Sequence, residues 1–214
     1  MDVGRFIQYI ASGTAYTVTV TLIALPLGLV LGLILSLLYV YGGKVLSRIM
    51  SIYSTVMRGI PPIVLLFILY FMVSGTINLS AFWAGSISLG IISSAYQMEI
   101  IRGALLSVSG GQMMAARAIG MPRLVAIRHI IIPQAFRLVI PPWSNEAAIV
   151  IKDSSLVYAL GVPEILRRAQ LISASTQEPF LAFITAGLIY FMLVFITNRF
   201  LDRLEKRVRI PANP

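Results

Sequence analysis

Four charged side chains interrupt the apolar runs of this chain: Arg58, Glu99, Lys152 and Asp153, with Glu146 as a fifth candidate. A charge near the centre of a bilayer costs a few kcal/mol unless it faces a cavity or a partner. The chemistry these residue types support is recognition rather than bond making. Glu99 and Asp153 are suited to an ammonium or guanidinium, and Arg58 or a helix N-terminus to a carboxylate. Ser93, Ser94, Ser154 and Ser155 stand beside the acids as neutral hydrogen-bonding groups. A solute carrying both charges, such as a cationic amino acid, fits that set. The alternative is structural: Glu99 and Arg102 are three apart on one helix and can pair, and Lys152 can bridge to a neighbouring carboxylate.

Other chemistries lack their residues. With no cysteine in the sequence, disulfides and thiolate metal sites are excluded. No His, Asp and Glu cluster has metal-ligand spacing, and the lone histidine, His129, reads as a packing or solvent-facing side chain. The stretch "YGGKV" at 41–45 has glycine-lysine, but valine follows it and the first glycine of a phosphate loop is missing. No cofactor is expected on this chain.

The elements that hold the charges are apolar spans. Of 214 residues, 58% are hydrophobic and 12% charged, against about 25% charged in a soluble domain. The surplus apolar surface must face lipid. A span needs about 20 apolar residues. The sequence predicts five transmembrane helices in one all-α membrane domain over 1–214: at 18–41, from near Ser51 to about 73, from about 81 past Glu99, at 138–162 and at 179–198. Pro26, Pro61-Pro62 and Pro141-Pro142 are placed to kink or start helices. Gly28 and Gly32 have the spacing of close helix packing, and Trp83 and Trp143 that of interface anchors.

Basic residues set the orientation. Lys44 and Arg48 follow the first span; Arg102, Arg117, Arg123, Arg128 and Arg137 stand around the third connection; Arg199, Arg203, Lys206, Arg207 and Arg209 are in the tail. Only Arg5, Arg167 and Arg168 lie on the other side. The N-terminus is therefore expected outside and the C-terminus in the cytoplasm. The N-terminal stretch has no cleavage-site pattern of a signal peptide. The net charge of +9 is read as this asymmetry, not as a nucleic-acid surface, because the bases adjoin apolar runs. The tail "RFLDRLEKRVRI" is basic and amphipathic, and is expected along the inner leaflet.

Between the third and fourth spans lies "GGQMMAARAIGMPRLVAIRHIIIPQ" (110–134). Gly120 is placed to end a short helix in the left-handed conformation, and Pro122 to start a second. Leu124, Ile127 and Ile131 are expected on one face of that second segment, and Pro133 is expected to stop it. The result is a compact cytoplasmic knob at about 108–135. The alternative is an interfacial amphipathic loop without a partner.

The spacing Ala115-Ala116, Gly120, Ile130-x-Ile132-Pro133 resembles the EAA loop of ABC importer permeases. The neighbouring segments "MRGIPPIVLLFILYF" (57–71), "SSAYQMEIIRGAL" (93–105), "IIIPQAFRLVIPPWSN" (130–145) and "IKDSSLVYALGVPEI" (151–165) are similar, in order, to the polar amino-acid branch of that family. Two positions depart from the pattern: Ile60 replaces a threonine, and Met114 replaces the glutamate that names the loop. The resemblance implies the type I ABC importer permease fold and a coupling helix, carried by Ala115, Ala116, Arg117, Gly120, Met121 and Pro122. That helix would dock on a separate ATP-binding subunit, which holds the ATP and magnesium. It further implies two such ATPase subunits, a second permease subunit, an extracytoplasmic solute-binding protein, an amino-acid substrate and a place in the bacterial inner membrane. The permease itself would be non-catalytic. The competing reading is an ATP-independent channel or secondary transporter, which has no use for the 110–134 insert; a non-transporting scaffold would not need the buried charges.

Overall fold

The computed structural model describes residues 2–108 and 110–208, and every regular element among them is helical. In chain order these are α1 (Val3–Ala11), α2 (Thr14–Tyr41), α3 (Gly43–Gly59), α4 (Pro62–Ile77), α5 (Ala81–Ser107), α6 (Gly110–Ala118), α7 (Arg123–Ala126), α8 (Ile132–Asp153), α9 (Ile165–Thr176) and α10 (Pro179–Val208). A π-helical turn, Ile127–Ile131, joins α7 to α8, and a 3-10 turn, Ser154–Leu160, follows α8. Ser109 of the 108–135 loop and the tail from Arg209 onward lie outside the described residues.

Among the described residues, three helical stretches are long and apolar enough to cross a bilayer: Val3–Tyr41, Arg123–Leu160 and Pro179–Lys206. A fourth is counted if Gly43–Gly59 and Pro62–Met72, bent by 112°, form one broken span. The sequence reading expected a single crossing there, starting near Ser51. The break has a local cause. Ile60 precedes a proline, whose ring disfavours the helical region for the residue before it, and Ile60 is accordingly extended (φ −104°, ψ 137°). Pro62 then opens α4, where its missing N–H costs nothing.

The expected span that does not qualify on hydropathy is α5, which is 27 residues long. It lies at the centre of the bundle, packed by α2, α3, α4 and α8. A helix covered by protein needs no lipid-compatible surface, so α5 carries buried serines, glycines and Gln97 where its neighbours carry leucine. The closest approach is to α2. A Cβ added at Gly32 would stand 2.9 Å from the Met98 backbone nitrogen, and one at Gly28 would stand 2.5 Å from the Gln97 amide. The glycine spacing read from the sequence is therefore the α2–α5 seam.

Three apolar clusters surround that seam. Val20, Ala24, Leu66, Leu89, Ile92 and Val157 pack α2, α4, α5 and the 3-10 turn together. Ile101, Leu105, Ile131, Ala135 and Val139 join α5 to α8. Phe6, Ile10, Ile165, Ala169 and Ala182 tie α1, α9 and α10 into a separate unit. Large side chains such as Phe71, Phe180, Phe191 and Phe200 face outward, as lipid permits.

Pro133 does not stop the helix that it enters. It occupies the first turn of α8, directly after the π turn. A π turn is wider than an α turn, which relieves the clash of the proline ring with the preceding carbonyls and removes the need for its N–H. The chain from Arg123 to Leu160 therefore continues as one helical stretch through Pro133, Pro141 and Pro142.

Candidate functional site

The α2–α5–α8 junction holds a buried polar chain. The Trp143 indole N–H donates to Gln97 Oε1 at 2.8 Å. The Gln97 amide donates to the Leu25 carbonyl at 3.1 Å and to Ser93 Oγ at 3.0 Å. Ser93 in turn donates to Glu146 Oε1 at 2.7 Å. Glu146 is only 3% exposed. The indole N–H of Trp143 points inward to this chain, so Trp143 is not the interface anchor expected from the sequence. Trp83 is half exposed.

Glu99 is held differently. Arg102 donates to its Oε2 from Nε at 3.0 Å and from Nη2 at 2.6 Å, and Ser54 donates to its Oε1 at 2.8 Å. The Arg102 guanidinium also lies over the Tyr39 ring, 4.9 Å from its centroid. This is the same-helix pairing weighed as the structural alternative. Nearby, the Tyr53 hydroxyl lies 2.6 Å from Ser94 Oγ, tying α3 to α5.

The other candidates gather at two places. Arg58 is exposed at the end of α3, just before the break. Lys152, Asp153, Ser154 and Ser155 follow one another where α8 becomes the 3-10 turn. Lys152 and Ser155 line a cavity of about 330 Å³ with Leu166, Phe183, Gly187 and Tyr190. Ser154 is buried and donates to the Ile151 carbonyl at 2.7 Å. Among the described residues no hydrogen bond or ion pair joins Glu99 to Asp153.

One buried acid was not singled out from the sequence. Glu164 is fully buried and caps α9, accepting from the Leu166 and Arg167 backbone N–H groups at 2.9 and 2.6 Å and from the Tyr190 hydroxyl. The signal was present: an acid right before a helical run, after a proline and a glycine at φ +86°. Gly13 sits against this cap, so close that a Cβ there would meet the Glu164 backbone at 2.6 Å.

The 110–134 stretch folds as its glycine and proline dictate. Gly120 has φ +83°. Its N–H bonds to the Arg117 carbonyl at 3.1 Å, and the Met121 N–H reaches back to the Ala116 carbonyl at 3.0 Å. Those two bonds make a Schellman cap. Arg117 reinforces it by donating to the Met121 carbonyl at 3.1 Å. Ala116 is buried beneath, while Met114 (71%), Ile119 (77%) and Leu124 (77%) stand exposed. Leu124 is exposed, whereas Ile127 and Ile131 are buried.

A family model described as "binding-protein-dependent transport system inner membrane component" matches residues 6–210. The chain belongs to that family. Curated relatives of these transport permeases include an octopine transport system permease of Rhizobium radiobacter, 32% identical over 207 residues, covering 91% of this chain and 87% of the relative. A putative glutamine transport system permease of Rickettsia prowazekii is 35% identical over 204 residues, covering 94% of each chain. Among solved structures, an amino acid ABC transporter crystallised with histidines matches with TM-score 0.86 at 33% identity, covering 97% of this chain and 99% of that one. An inward-facing methionine ABC transporter matches with TM-score 0.87, covering 98% of this chain and all of that one, but at 19% identity it speaks for the fold alone. The chain is thus the permease component of an amino-acid ABC importer, in a family of inner-membrane components.

Proposed function

We propose that this permease carries polar, cationic amino acids inward by alternating access, driven by ATP hydrolysis on separate subunits. The observation that carries the coupling is the Schellman-capped helix α6, with Met114 and Ile119 uncovered beside its cap. Ala115, Ala116, Arg117, Gly120, Met121 and Pro122 form the peg that seats in an ATPase subunit. A rigid peg passes a partner's motion into α8 through the continuous helical stretch that follows.

The proposed assembly has two permease subunits around a two-fold axis, two ATPase subunits holding ATP and magnesium, and an extracytoplasmic binding protein. In the proposed topology α1–α2, the broken α3–α4 pair, α5, α8 and α10 make five crossings, with the N-terminus outside and the C-terminus cytoplasmic. Twelve of the seventeen lysines and arginines then fall on the cytoplasmic side, which supports that orientation. Cargo would pass Asp153, Ser154, Ser155 and Ser93, with Arg58 toward its carboxylate. Glu99 would meet the cargo's cation only when its pair with Arg102 opens, whereas Glu146 has no ion-pair partner among the described residues.

The test is uptake in proteoliposomes with the cognate ATPase and binding protein, across arginine, lysine, histidine and glutamine. ATP-dependent uptake of the basic amino acids that falls in Glu99→Gln or Asp153→Asn, while glutamine uptake and basal ATPase persist, supports the reading. Uptake by the chain alone without ATP replaces it with a secondary transporter or channel. Cationic uptake unchanged in both variants leaves specificity to the binding protein.

A further inference from the structure

We propose that the groove between the end of α2 and the α7–π turn is a binding site for an anionic phospholipid. This rests on the membrane-spanning reading above, but not on the cargo or the coupling. The groove has a volume of about 620 Å³. Ile34, Leu37 and Leu38 of α2 form one wall, and Leu124, Ile127 and Ile132 the other. Tyr41 and Arg128 complete the lining with Gly42.

Two arginines stand at that lining. The Arg123 guanidinium lies over the Tyr41 ring, 5.6 Å from its centroid. Arg128 lines the groove itself, and exposed Lys44 is two residues beyond Gly42, which also lines it. Among the described residues none of these cations is in an ion pair. No acid occurs from residue 3 to 98 or from 100 to 145, which includes every residue of α2, α3, α6, α7 and the π turn. The one acid between those stretches, Glu99, is bound to Arg102. An apolar slot is thus lined by Arg128 and by Tyr41, on which Arg123 lies, with nothing of opposite charge among its own residues.

The shape selects the source of the anion. A free phosphate gains nothing from walls of isoleucine and leucine. A phospholipid places its phosphate between Arg123 and Arg128 and lays acyl chain along Ile34, Leu37 and Leu38. Exposed Val30 and Leu33 lie one helical turn before the lining residues Ile34 and Leu37 on α2, so the same apolar face continues along the helix for a lipid tail to follow. Basic residues at the level of the headgroups, beside apolar helix faces, are the arrangement that recognises anionic lipid.

The test is native mass spectrometry of the full chain purified in detergent, with equimolar phosphatidylglycerol and phosphatidylcholine. The expected result is retained phosphatidylglycerol in preference to phosphatidylcholine. Arg123→Gln and Arg128→Gln should each lower that preference about fivefold, and Arg203→Gln on α10 should leave it unchanged. Circular dichroism melts of each variant separate lost binding from lost fold. Equal retention of the two lipids, or a preference indifferent to both arginines, overturns the proposal. So does displacement by millimolar glycerol 3-phosphate, which makes the site one for free anions. Loss of the lipid when the ATPase subunits are added makes the groove a partner's seat instead. None of these readouts involves transport, so a failed uptake assay leaves this result standing and the reverse holds too.

Discussion

Gly32→Ala should destabilise the permease, and Gly103→Ala should not. The two glycines lie on neighbouring helices and differ in what a methyl group would meet. At Gly32 the new Cβ stands 2.9 Å from the Met98 nitrogen, 3.0 Å from Gln97 Cβ and 3.1 Å from the Gln97 carbonyl carbon. Two of these are backbone atoms, so no rotamer change relieves them; α2 and α5 must separate by several tenths of an ångström. Separation loosens contacts along the whole seam, and overpacking of this kind costs about 1–3 kcal/mol. At Gly103 a Cβ meets nothing within 4 Å. Alanine there should instead gain up to about 1 kcal/mol from helix propensity. Gly28→Ala is an intermediate case. Its nearest contact is the Gln97 amide at 2.5 Å, which can swing away by giving up its bonds to Leu25 and Ser93, about 1 kcal/mol each. The assay is the thermal midpoint of the detergent-solubilised chain, followed by loss of the monodisperse peak on size exclusion. The order expected is Gly103→Ala at or above wild type, then Gly28→Ala, then Gly32→Ala. A Gly32→Ala protein as stable as Gly103→Ala would refute the close α2–α5 approach.

Gly120→Val places a β-branched residue at φ +83°, at a cost of about 1–3 kcal/mol; uptake should fall sharply while the thermal midpoint of the membrane bundle changes little. Trp143→Phe leaves Gln97 Oε1 without its donor, and a buried unsatisfied acceptor costs about 1–3 kcal/mol, read as a lower midpoint. Glu164→Ala strips the cap from α9 and leaves the Tyr190 hydroxyl without its acceptor. Cap loss alone costs about 0.5–2 kcal/mol, and limited proteolysis should cut first within 161–178.

What was legible in the sequence was local. Gly120 as a cap, Pro62 as a helix start and the glycine pair of α2 are each decided within a few residues, by a steric rule that does not depend on the rest of the chain. Pairings across the bundle were not legible. Ser93 and Glu146 are 53 residues apart, and nothing in either segment says that one helix carries its serine to the other's acid. Trp143 shows the same limit: an amphipathic ring suits the headgroup level, but Gln97 offered an acceptor inside. The Glu99–Arg102 pair was legible because both lie on one helix, at the spacing where side chains meet. Pro133 misled because the rule that proline ends a helix presumes α winding, and the turn before it is wound wider.

That wider turn sets a bearing. Each α-helical residue advances the chain by about 100° around the axis, and the π segment Ile127–Ile131 fits an additional residue into one turn. Deleting one residue there would return the segment to α winding and leave α8 in place. It would also swing α7 and α6 by roughly 100° around the α8 axis. The azimuth of the peg is thus fixed by five residues, independently of both the span below it and the cap above it.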